Sequence, residues 1–111
     1  MKTFAIITIA LSLGTAPVVA SAQTMRTGTI TMVRTGWNVD AFAIVTAEPI
    51  ANPAGCPSAD GYLSQKEAPG YSTYYAAALT GYLAGKPAVF TVHDAQCEFG
   101  RPKLIGINLP R

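Results

Sequence analysis

The sequence predicts a small, mainly β domain carrying one helix. Short segments rich in β-branched and aromatic residues recur along the chain, alternating in polarity or wholly apolar, and Gly, Pro or Asn bounds each of them. Only the segment 72–84 repeats its apolar side chains at helical spacing. Both cysteines of the 111-residue chain, Cys56 and Cys97, fall within the stretch that such a domain would occupy.

Residues 1–22 read as a cleavable signal peptide ahead of a single domain at 23–111. Lys2 supplies the positive start, and Phe4 to Leu13 is an apolar run too short to span a bilayer. Ala20-Ser21-Ala22 fits the small-x-small cleavage rule, with Gln23 as the new N-terminus. The other reading, an N-terminal core helix, fits Pro17 and its small neighbours less well. The expectation is therefore an exported protein, periplasmic or secreted, with no stable membrane insertion. With Lys2 removed, seven basic and six acidic side chains remain. Such a balance argues against a nucleic-acid partner, which needs a dense basic patch.

In the domain, residues 27–34 alternate as a half-buried strand with Ile30 and Met32 facing in. Residues 35–38 are a turn. Residues 39–47 are nearly all apolar towards their end, as a strand covered on both faces would be. The stretch 48–61 is a Pro- and Gly-rich loop that Cys56 anchors, and Tyr62 to Gln65 is a short third strand. Pro69-Gly70 breaks the chain before the helix, which Ser72 can cap. Tyr71, Tyr75, Ala78, Leu79, Tyr82 and Leu83 form its apolar stripe, and Gly85 suits its left-handed end. Gly81 marks either close packing or an earlier helix end. A fourth strand at 86–93, a loop at 94–102 and a fifth strand at 103–109 follow, the last with Ile105, Ile107 and Leu109 on one face.

Strand, strand, short strand, helix, strand, strand is the order of the OB-fold, a five-stranded Greek-key barrel. A domain this small gains from a staple, and an exported chain meets an oxidising compartment, so Cys56 and Cys97 are expected to pair. The loop they close is about 40 residues, worth roughly 4 kcal/mol in the chain-entropy model. Two thiols and one histidine do not complete a zinc shell, so no metal is expected.

The stretch from about 60 to 109 also carries a family likeness. Gly61-Tyr62 precedes a Tyr-, Ala- and Leu-rich helix that runs through Gly85-Lys86-Pro87 into the strand Val89–Val92. Cys97-Glu98-Phe99-Gly100-Arg101-Pro102 and the closing strand Lys103–Leu109 follow. This resembles the cell-binding B subunits of subtilase-cytotoxin-type AB5 toxins, and a family of short exported bacterial proteins similar to them. The first two strands match only in character. The resemblance implies an OB-fold, a ring-shaped homo-oligomer and binding of cell-surface glycans; it assigns no sugar-contacting residue here. Ala76, Ala77 and Ala78 would allow close approach of a neighbouring copy, and would equally suit packing on the protein's own barrel.

No arrangement of catalytic residues is legible, and no cofactor is implied. His93 is the only histidine, and its neighbour Asp94 points to the opposite face of a strand. The six carboxylates are scattered, and neither cysteine is a nucleophile once paired. Trp37, the only tryptophan, lies in the turn after the first strand, and Phe99 and Arg101 lie in the loop before the last. Those two loops flank the ligand site in OB-folds. Trp37, Asn38, Phe99 and Arg101 are therefore the candidate ligand-binding residues, an aromatic platform beside hydrogen-bond donors. The competing reading has Trp37 and Phe99 folded back over the barrel ends. The functional expectation is an exported, non-enzymatic binding module for a glycan. The alternative is a structural or inhibitor-like periplasmic protein that docks on another protein.

Overall fold

The computed structural model describes Thr3 and residues 22–111. Apart from Thr3 and Ala22, the expected signal peptide at 1–22 lies outside the described residues. Among the described residues there are six strands and one helix: β1 (Gln23–Gly28), β2 (Ile30–Thr35), β3 (Ala41–Thr46), β4 (Tyr62–Gln65), α1 (Tyr71–Ala84), β5 (Ala88–Glu98) and β6 (Arg101–Asn108). The protein is thus mainly β with one helix. It is not a five-stranded closed barrel: one six-stranded sheet runs in the order β1-β5-β6-β4-β3-β2, with β1 and β2 at its two edges. Every pairing is antiparallel except β4 with β6.

The extra strand arises because the first expected strand is divided at Thr29. Its N–H donates to Glu48 Oε2 at 2.7 Å, and its carbonyl accepts from Ala47 N at 3.0 Å. Both backbone groups thus turn towards the chain just after β3. Gly28 makes the bend feasible, because a Cβ there would lie 2.9 Å from Glu48 Oε2 and 3.2 Å from Thr46. Before the bend the chain pairs with β5, and after it with β3.

The core gathers Phe42, Ile44, Tyr62, Phe90, Val92 and Leu104 with Ile30, Ala51, Ala78 and Ala88. Residues 41–44 are all buried, so β3 is covered on both faces. Tyr62 stacks on Phe90 with ring centroids 5.4 Å apart, and Phe42 packs against Tyr71 and Tyr75 of α1. The Tyr62 hydroxyl accepts from Ala51 N at 2.9 Å, which ties the 47–61 loop to the core. Burial pushes the Tyr62 phenol above its ordinary pKa.

Several sequence expectations need correction, and two of them share one cause. Met32 is half exposed rather than core-facing, because a register shift between Ile30 and Met32 moves the following side chains to the other face. On β6 it is Pro102 and Leu104 that are buried rather than Ile105 and Leu109; there the register slips at Thr91/Val92. The helix begins at Tyr71 on a left-handed Gly70 (φ 84°), so Gly70 and not Ser72 is its N-cap. Its buried residues are Ala78 and Gly81, with Tyr71, Tyr74 and Tyr75 packed alongside, whereas Leu79, Tyr82 and Leu83 are exposed. Gly81 lies so close to the sheet that a Cβ would meet Leu109 at 3.1 Å and Ile30 at 3.2 Å. Small residues therefore face inwards. The expected loop at 94–102 is instead the end of β5, the two-residue turn Phe99–Gly100 and the start of β6.

Candidate functional site

The hairpin tip between β5 and β6 and the turn between β2 and β3 meet at one end of the sheet. The β5–β6 turn needs two left-handed residues, and Phe99 (φ 48°) and Gly100 (φ 75°) supply them. The β2–β3 turn likewise holds Trp37 (φ 65°) and Asn38 (φ 62°) in left-handed conformations. Among the described residues, the non-glycine positions with positive φ are Trp37, Asn38 and Phe99. Such conformations cost on the order of 1 kcal/mol or more each, and they persist only where the surroundings impose them. Three of the four candidate residues therefore sit on strained backbone.

The side chains converge on Asp60. Arg101 Nε donates to Asp60 Oδ1 at 2.7 Å and Arg101 Nη2 to Oδ2 at 3.3 Å, a two-pronged pair. Arg34 Nη1 approaches the same carboxylate at 3.6 Å. Both guanidinium carbons lie 5.4 Å from the centre of the Trp37 ring, within cation–π range. Arg101 Nη1 also donates to the Phe99 carbonyl at 3.2 Å. The hydrogen bond from Arg101 outweighs the opposing effect of burial and, with the charges of Arg101 and Arg34, holds the Asp60 carboxyl below its ordinary range. Two cations on one carboxylate leave the cluster with one net positive charge.

The loop that carries Asp60 is fastened to the hairpin at several points. Cys56 and Cys97 form a disulfide with Cα atoms 5.9 Å apart. Ser58 N donates to the Gly100 carbonyl at 2.8 Å. The Asn52 amide group brackets Cys56 from within the loop, Oδ1 accepting from Cys56 N at 2.7 Å and Nδ2 donating to its carbonyl at 2.9 Å.

The structure thus brings Trp37 and Arg101 into contact and joins Phe99 to them through its carbonyl. Trp37 is 38% and Phe99 50% exposed, so neither is folded into the core. Asn38 is exposed beside Trp37, and among the described residues it makes no hydrogen bond to Arg101 or Asp60. Arg34 and Asp60 escaped the sequence reading. A signal for Asp60 was present: it lies four residues after Cys56, as Arg101 lies four after Cys97, so pairing the cysteines brings the two close. Arg34 had no such signal, since its place depends on how β2 packs.

Elsewhere, His93 serves the backbone: its Nδ1 accepts from Ala95 N and Gln96 N, each at 3.0 Å, where β5 is irregular. Among the described residues there is no group of three or more His, Cys, Asp or Glu that could hold a metal ion. Nor is any helix among them long and apolar enough to cross a membrane. A shallow apolar cleft of about 80 Å³ lies at the far end of α1, lined by Thr80, Gly81, Ala84, Lys86, Pro87, Leu109 and Pro110, and shares no residue with the Trp37 cluster. Compared with models of known protein families and with curated proteins, the chain matches none.

Proposed function

We propose that this chain is an exported, non-enzymatic binding module of the OB type. Its ligand face is the exposed surface of Trp37, Asn38, Phe99, Arg34 and Arg101, and its ligand is a glycan. The observation that carries this reading is the coincidence of strained backbone with an exposed aromatic–cation cluster at Trp37, Asn38 and Phe99. An aromatic ring offers broad apolar contact at low conformational cost, and the guanidinium groups supply orienting hydrogen bonds. The disulfide keeps the second loop still, which lowers the ordering cost of binding.

The OB assignment rests on the strand pairing. β1 and β2 are consecutive, separated by Thr29 alone, yet stand at opposite edges of the sheet. Counted as one bent strand, they would reduce the open six-stranded order to five strands in sequence around a Greek-key arrangement, which supports the OB reading. Export rests on the signal-peptide pattern of residues 1–22, and an oxidised cysteine pair is compatible with it. The likeness to toxin B subunits and their short exported relatives favours a glycan over other small polar ligands.

A second reading, docking on another protein, draws on the guanidinium groups beside the indole. They occupy space that a stacked sugar would need, and Trp and Arg anchor many protein interfaces. A glycan array and a pull-down with the purified protein and its Trp37→Ala variant separate the two. Glycan signal that the variant loses by at least tenfold supports the first reading. A protein partner lost in the same way, with a blank array, replaces it with the second. A Trp37→Ala variant that loses several kcal/mol of stability makes Trp37 a structural residue and removes the site.

A further inference from the structure

The outward side of helix α1 mixes Ala76, Leu79 and Leu83 with the hydroxyl-bearing Ser72, Thr73 and Thr80. None of its fourteen residues is charged. Opposite Ala78 and Gly81, the side chains of Ser72, Ala76, Leu79 and Leu83 follow one another at spacings of four, three and four, a single narrow stripe. All four are exposed, Leu83 by 83%. Thr80, beside the stripe, turns its hydroxyl back onto the Ala76 carbonyl at 2.8 Å.

We propose that this stripe docks on the same stripe of a second copy, with the two helices antiparallel about a two-fold axis. The argument is one of size and charge. The stripe is small at its N-terminal end (Ser72, Ala76) and large at its C-terminal end (Leu79, Leu83). In the antiparallel arrangement Leu83 of each copy lies over Ser72 of the other, and Leu79 over Ala76, so every large side chain meets a small one. A two-fold contact repeats each of these pairs. A parallel arrangement would set leucine on leucine at one end and leave a gap at the other. An uncharged face meets its own copy with no pair of like charges. The same register carries the exposed Lys86, just past the helix, towards the start of the other helix, where Glu67 is exposed. The helix dipoles also oppose one another favourably.

A fourteen-residue helix is about 21 Å long. One such stripe is a small interface, so the dimer is a weak one, with a dissociation constant roughly in the micromolar range or above. This surface is separate from the Trp37 cluster, and the proposal stands independently of the ligand reading.

Sedimentation of the purified protein over a wide concentration range should show a monomer–dimer equilibrium. Leu83→Glu and Ser72→Lys should each weaken it by at least tenfold and leave the melting temperature unchanged, because both positions are exposed. Mixing the two variants should restore the dimer, since the introduced lysine then meets the introduced glutamate across one half of the contact. A parent protein that stays monomeric at the highest concentration overturns the proposal. So does an assembly larger than a dimer, a dimer indifferent to Leu83→Glu, or a mixture no stronger than its components.

Discussion

Single residues in this protein show how a group's neighbours, more than its type, set its worth. Ser64 on β4 is fully buried, and among the described residues its hydroxyl has no hydrogen-bond partner. Such a group forfeits its hydration without compensation. Ser64→Ala should therefore leave stability unchanged or raise it by about 1 kcal/mol in denaturant unfolding. A loss larger than that would mean that the hydroxyl is paired after all, for instance to a buried water. Asp60 is the opposite case: a half-exposed carboxylate shared by two arginines. Exposed ion pairs contribute up to about 1 kcal/mol, so Asp60→Asn should shift stability little. It should nevertheless free both guanidinium groups, and Trp37, the only tryptophan, reports this directly. Its emission should change in Asp60→Asn while the far-ultraviolet circular dichroism does not. The pH dependence has a definite sign. A carboxyl whose pKa is depressed in the folded state contributes stability above its unfolded value and loses it as pH falls through the folded one. The Trp37 transition in the parent should thus lie below the ordinary aspartate value of 3.8. A transition at or above that value would mean that the arginines do not hold Asp60 in solution.

At the scale of elements, the loop from β3 to β4 is the most telling. It carries Cys56, Ser58 and Asp60 to Cys97, Gly100 and Arg101 of the β5–β6 hairpin. A stretch without strands is thereby made part of the candidate site. Opening the disulfide releases a closed loop spanning a sequence separation of 41 residues. Cys97→Ser should cost about 2–5 kcal/mol and lower the melting temperature clearly. A variant that melts within a few degrees of the parent would show that the remaining contacts hold the loop unaided. Helix α1 teaches a different lesson. Tyr71, Tyr75, Ala78, Leu79, Tyr82 and Leu83 share one broad apolar arc, and helical spacing alone points that arc inwards. Close approach to Ile30 and Leu109 instead selects the side that carries Gly81, and Leu79 and Leu83 are left outside.

For the whole molecule, the start of β1 bears on the proposed export. β1 opens at Gln23, directly after the proposed cleavage point, so removal of residues 1–22 leaves all six strands complete. Intact-mass measurement of the protein recovered from the exporting host should give a chain beginning at Gln23. A chain that begins inside β1, or one that keeps its first residues, would refute cleavage there. The pairing of β1 with β5 also explains why the N-terminal strand matters: it covers an edge of β5 that would otherwise be free to pair with another chain.

Much of this architecture is local information. Alternating or wholly apolar runs marked the strands, Pro69-Gly70 and Gly85 marked the ends of the helix, and two cysteines in one small domain marked each other as partners. Trp37 and Arg101 could be placed together because the order of strands predicts which loops share an end of the fold. Tertiary structure alone decided the division of the first strand at Thr29, the faces shown by Met32 and Leu104, the hairpin at Phe99–Gly100, and the arrival of Arg34 beside Asp60 and Trp37. The physical reason is the same in each case. Periodicity is carried by near neighbours, but a register shift of one residue exchanges the two faces of a strand, and that shift is set by a partner strand distant in sequence. A salt bridge between loops likewise exists only once the chain has been folded back upon itself.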